Sequence, residues 1–164
     1  MNGLSKIIIN GALLVGFSSA TYIASAASFV PPGMFSGAGG TITIKTPTTF
    51  GSPVTCGISV NGSIGEFTEP RITGVSITGA GVCGLLKANY LSWPLRADSL
   101  TSGYLSEVGF TIKGILPATN CGFGTMNINW NNVSKRLTVS NQALSGNCTV
   151  VSLEILLPSL SIAN

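Results

Sequence analysis

Met126–Val139 reads MNINWNNVSKRLTV, and its apolar residues recur at every second position. Met126, Ile128 and Trp130 alternate with Asn127 and Asn129. After the turn-forming pair Asn131-Asn132 the alternation resumes with Leu137 and Val139. Successive strand side chains point to opposite faces, so this pattern sets one face against a core and the other in water. It predicts two half-buried antiparallel strands joined by a turn.

The same period extends outward in both directions. Ile42 and Ile44 alternate with Thr41, Thr43 and Lys45; Val108, Phe110 and Ile112 form another set, and Val151, Leu153, Ile155 and Leu157 a last one. Asn61-Gly62 reads as a two-residue hairpin turn, and Gly79–Gly81 and Ser145–Asn147 as loops just ahead of Cys83 and Cys148. In Arg71–Thr78, RITGVSIT, the apolar phase slips at Gly74, where a β-bulge would restore the inward face. Helical pattern is confined to Cys83–Tyr90, enough for one or two turns before Trp93-Pro94. These signals predict an all-β fold: an antiparallel β-sandwich or barrel-like domain of about eight short strands.

Composition narrows the function classes. The 164 residues are 45% hydrophobic and only 8% charged, with 21 Gly, 8 Pro, 4 Cys, no His and a net charge of +3. So few charges exclude a coiled coil or a charged disordered tail, and scattered single cations do not make a nucleic-acid face. Without His there is no Ser-His or Cys-His pair and no imidazole metal ligand. Asp98 and four Glu remain for acid-base work, so an enzyme is the least favoured class; Glu66 and Glu107 are its candidate carboxylates. No cofactor, catalytic or metal-binding residue is expected.

Residues 1–26 read as a secretory signal peptide. Lys6 supplies the positive start, Ile7–Phe17 the apolar run, and Ala24-Ser25-Ala26 the small residues of a cleavage site. The run is too short for a membrane span, which needs about 20 apolar residues. The Leu153–Leu157 run is interrupted by Glu154, so the mature chain is expected to contain no transmembrane segment. Residues 27–40, rich in Pro and Gly, read as a flexible leader, and 41–164 as a single β domain.

All four cysteines fall after the signal. Cys56 and Cys83 are 27 residues apart, as are Cys121 and Cys148. Export favours disulfides over thiolate metal sites, and the equal spacing favours pairing Cys56 with Cys83 and Cys121 with Cys148. A shift of 65 residues superposes the cysteine pairs and also matches Gly57 with Gly122, Arg71 with Arg136, Thr73 with Thr138 and Gly81 with Gly146. Composition alone produces about half as many matches, which leaves duplication and chance both open.

Lys87, Asn89, Tyr90, Trp93, Arg96 and Asp98 lie in the one segment that breaks the strand rhythm. Its aromatic and aliphatic residues Leu91, Trp93 and Leu95 form a candidate apolar contact loop. The competing reading places Trp93 in the core, the usual role of a large aromatic. Asn-x-Ser/Thr triplets at Asn61, Asn132 and Asn147 are short enough to arise from composition.

The early TCGISVNG strand, the central GVCGLLKANYLSWPL and the late GNCTV, behind a signal peptide, resemble the small secreted activators of alkane oxidation of Gram-negative bacteria, the PraB type. Where that family is expected to carry Leu-Pro-Trp, this chain has Leu91-Ser92-Trp93-Pro94. The resemblance implies a secreted, extracellular, non-enzymatic accessory protein that promotes alkane oxidation or uptake at oil-water interfaces, with an apolar ligand or oil surface as partner and no binding residues carried over. Few Lys, Glu or Pro guard the strand edges, which motivates an alternative: a self-associating subunit of a cell-surface fibre, pilus or biofilm matrix.

Overall fold

A computed structural model describes residues 26–66 and 68–164. Its strands are β1 (Ser28–Val30), β2 (Gly33–Lys45), β3 (Val54–Ile64), β4 (Arg71–Thr78), β5 (Leu86–Asn89), β6 (Trp93–Ala97), β7 (Ser102–Ile112), β8 (Thr119–Asn131), β9 (Arg136–Leu144), β10 (Cys148–Leu156) and β11 (Ser161–Ala163). One helical turn, α1 (Val82–Leu85), precedes β5, and a 3-10 turn covers Pro47–Thr49. The signal peptide read at residues 1–26 lies outside the described residues except for Ala26.

The large sheet runs β7-β6-β4-β3-β2-β10-β9-β8, and β8 pairs back onto β7. Every ladder in it is antiparallel. The eight strands therefore close into a barrel, with β5 as an additional strand on β7. An eight-stranded barrel is just narrow enough for side chains to fill. Here Ile42, Ile44, Ile72, Leu95, Leu105, Phe110, Met126, Ile128, Leu137 and Val139 fill it, all at most 2% exposed. The alternating residues that predicted strands are the residues that point inward. Val151 is the exception: a register shift between Val150 and Ser152 turns Val150 inward instead.

Both disulfides form as the spacing predicts, and both sit at one end of the barrel. Each joins the start of one strand to the segment that follows its hairpin partner: Cys56 in β3 to Cys83 in α1, after β4, and Cys121 in β8 to Cys148 in β10, after β9. The 65-residue shift also carries the first residue of β3, Val54, onto that of β8, Thr119, and the first residue of β4, Arg71, onto that of β9, Arg136. The sequence correspondence is thus a structural one: two hairpins built and stapled alike.

At the opposite end β1 and β11 pair as a separate two-stranded sheet. Phe29 of β1 packs edge-on against Trp130, with ring centroids 5.4 Å apart. Asn132 fastens this plug: its Oδ1 accepts from Ile162 N–H at 2.9 Å and Trp130 Nε1–H at 2.7 Å, while its Nδ2 donates to the Ile162 carbonyl at 2.9 Å. Asn132→Ala leaves three polar groups without this partner. It is expected to cost about 2 kcal/mol in urea unfolding and to speed amide exchange at Ile162 selectively. Unchanged exchange there would show that β11 is held by other contacts.

Two local expectations are corrected and a third is narrowed. The proposed leader is structured: residues 33–40 are the first half of β2, with Phe35 buried. Two of its glycines answer crowding, since a Cβ on Gly37 would lie 2.6 Å from the Leu156 carbonyl oxygen and one on Gly40 2.5 Å from that of Glu154, whereas Gly33 and Gly39 hold positive φ in open space. Asn61-Gly62 is no hairpin; both residues lie within β3, paired to β2 and β4. The helical pattern ends after a single turn, because Leu86–Asn89 joins the β7 ladder. The bulge read in Arg71–Thr78 is present: Asn61 pairs with Gly74 and Gly62 with Ile72, leaving Thr73 extra.

Candidate functional site

The segment that breaks the strand rhythm becomes a defect in the barrel wall. β5 and β6 pair with the same edge of β7, Leu86 opposite Ile112 through Asn89 opposite Gly109, then Leu95 opposite Leu105. They are two halves of one interrupted strand, and Tyr90–Ser92 is the interruption. β7 breaks register at the same level, where Glu107 has φ 61°, and so does β8 across Gly122–Gly124. Three adjacent strands therefore bulge together, which releases side chains from the alternation that would otherwise turn them in or out.

The predicted contact loop divides across that wall. Trp93 and Leu95 point inward, 1% and 0% exposed, and belong to the core. Trp93 packs edge-on against Phe110, centroids 5.5 Å apart, and its Nε1–H donates to the Asn89 carbonyl at 2.7 Å. Leu91 alone of the three is on the surface, at 43% exposure. Beside it the Tyr90 ring lies over Gly109, where a Cβ would come 2.6 Å from Tyr90 Cδ2. Tyr90 also meets the exposed Phe123 edge-on, centroids 5.4 Å apart. The resulting outer patch is Tyr90, Leu91 and Phe123.

Phe123 escaped the sequence reading, although a signal for it exists. It sits between two glycines where the inward phase slips: Cys121 and Met126 both point inward although they stand an odd number of positions apart. Of the other polar residues in the segment, Asn89 accepts a hydrogen bond from Thr111 through Oδ1, while Lys87 and Asp98 are exposed.

A concavity of about 760 Å³ lies at the plugged end, with Phe29, Val30, Ile64 and Leu95 among its walls. Glu69 at its rim bridges two cations, Arg71 at 3.0 Å and Arg96. The side-chain hydrogen bond from Arg96 to Glu69, then that with Tyr104, raises the Arg96 guanidinium above its ordinary range, so it stays charged at every accessible pH. Glu66 lines this cleft, whereas Glu107 sits partway along β7. The two candidate carboxylates thus belong to separate elements. Among the described residues no group of three or more His, Cys, Asp or Glu could hold a metal ion.

The chain is a small, filled, disulfide-stapled antiparallel β-barrel with an exposed aromatic patch on its wall. Across residues 1–163 the chain matches the model of the family described as alkane oxidation protein activator PraA/PraB-like. It belongs to that family. No curated protein and no solved structure matches it. The family's description as an activator indicates an accessory part in alkane oxidation. The two disulfides fit an extracellular or periplasmic protein, and among the described residues no helix is long and apolar enough to cross a membrane.

Proposed function

We propose that this protein is exported and promotes alkane oxidation without catalysis, by contact with oil-water interfaces through the Tyr90, Leu91 and Phe123 patch. The carrying observation is that patch, an exposed Tyr-Phe pair beside Leu91 on a stapled wall, in a chain of the alkane-activator family. Apolar area gains roughly 25 cal/mol per Å² on leaving water, so rigid protruding aromatics favour an oil boundary without conformational cost. Low charge supports the same reading, since each buried charge would oppose adsorption.

The fibre-subunit alternative rested on open strand edges. Each barrel strand has a ladder partner on either side, but β4 meets β6 only at Arg71 and Ile72 and β8 meets β9 only over Asn129–Asn131, so that motive is limited to these partly paired edges and to the free sides of β1, β5 and β11.

Purified protein lacking residues 1–26 is expected to stabilise a hexadecane emulsion. The triple variant Tyr90→Ser, Leu91→Ser, Phe123→Ser should fall several-fold, to the level of an unrelated secreted β-protein, with its circular dichroism unchanged. Wild-type protein no better than that control would refute interfacial action; a fully active triple variant would refute the patch.

A further inference from the structure

The barrel end that carries the disulfides differs chemically from the rest of the surface. Lys45 ends β2, Lys87 lies on β5 opposite Thr111, and Lys113 directly follows β7. All three are exposed, and among the described residues none forms an ion pair. The acidic residues lie elsewhere. Glu66 and Glu69 are in the β3–β4 connection, Asp98 in the β6–β7 turn and Glu154 near the close of β10, all toward the plugged end, while Glu107 is partway along β7. Arg71, Arg96 and Arg136 form ion pairs there, the first two sharing Glu69 and the third with Glu154. Lys135, in the β8–β9 turn at the plugged end, also has no ion pair and hydrogen-bonds Ser161 instead. Three of the four described lysines thus collect at the disulfide end, which carries no acidic residue among the described residues.

Apolar side chains protrude among these lysines. Phe50 is 84% and Leu116 87% exposed, and Leu85 of α1 is also exposed. Their loops are tied together. Thr48 donates through its N–H to Thr119 Oγ1 at 3.1 Å and through Oγ1 to the Pro117 carbonyl at 2.7 Å. Leu86, next to Leu85, pairs with Ile112, which pairs with Thr119. Phe50 holds φ at 51°, a left-handed conformation unfavourable for a bulky residue, while its ring stays out of the core.

We infer that the disulfide end docks on a bilayer surface bearing anionic headgroups. Apolar tips carried by three separate connections lack the contiguous packed centre of a protein-protein interface. A fluid bilayer accepts such tips at any spacing, a few ångströms into the boundary between headgroups and acyl chains. The lysine stems lie along apolar surface while their ammonium groups meet anionic headgroups. This face is separate from the Tyr90, Leu91 and Phe123 wall, and the docking does not depend on the emulsion activity.

The test is flotation of the protein lacking residues 1–26 with vesicles of phosphatidylcholine alone or containing about one-third phosphatidylglycerol. Binding is expected on the anionic vesicles, weakened by salt. Lys45→Gln, Lys87→Gln and Lys113→Gln together should weaken it on the order of a hundredfold. Phe50→Ser with Leu116→Ser, which touches no lysine, should weaken it about tenfold. Arg71→Gln with Arg96→Gln, at the other end, should leave it unchanged. No flotation, equal flotation with both vesicle types, or an equal loss in the arginine variant would overturn the docking. The emulsion assay reads the wall patch separately, so either result can fail alone.

Discussion

Replacing all four cysteines with serine is expected to lower the unfolding free energy by about 7 kcal/mol, about half from each bridge. Each bridge spans 27 residues, and closing a loop of that length removes about 3.5 kcal/mol of chain entropy from the unfolded state. Small domains are stable by only about 5–15 kcal/mol, so the fully substituted chain should be largely unfolded at room temperature. The loss should begin locally. Both bridges lie at one end, so removing one pair should speed amide exchange in α1 or at the start of β8 before it reaches the β1–β11 plug. Urea unfolding of the two double variants and the quadruple variant measures this. A total loss below about 2 kcal/mol would mean that the closed barrel, not the bridges, restrains the chain.

The second large effect is expected at Trp93. Trp93→Ala removes the largest of the fully buried side chains, abandons the contact with Phe110 and leaves the Asn89 carbonyl without its 2.7 Å donor. A cavity of that size and an orphaned acceptor together cost about 4 kcal/mol. Trp93→Phe keeps most of the packing and loses the N–H, for about 1–2 kcal/mol. Urea midpoints for the pair separate packing from hydrogen bonding. A Trp93→Ala cost under about 1.5 kcal/mol would show that the wall collapses readily around the site and that Trp93 is not a core anchor.

Trp93 and Leu91 mark where reading by period stops working. Both lie in one short apolar stretch, two residues apart, and strict alternation would put them on the same face. The wall defect at Tyr90–Ser92 parts them, and β7 and β8 break register alongside it. Phe123 joins Tyr90 for the same reason, through pairing between segments some thirty residues apart. The rim of Phe50, Leu85 and Leu116 was equally illegible, since hydrogen bonds from Thr48 to Pro117 and Thr119 assemble it across the chain. Glycines misled in the opposite direction. Residues 33–40 have a linker's composition, yet their missing side chains are what let β2 pass close to β10.

The sequence by itself determined the class of structure and most of its inward residues, and it favoured the disulfide partners that form. Period-two alternation is a local property of each strand, and equal cysteine spacing reflects two hairpins built alike. Only the tertiary structure decided between sandwich and barrel, because closure depends on β7 pairing with β8 and β6 together. It alone also separated core from surface in the Tyr90–Leu95 segment and gathered Lys45, Lys87 and Lys113 at one end. Those outcomes follow from which strands are neighbours, and neighbourhood is set by packing of the whole chain.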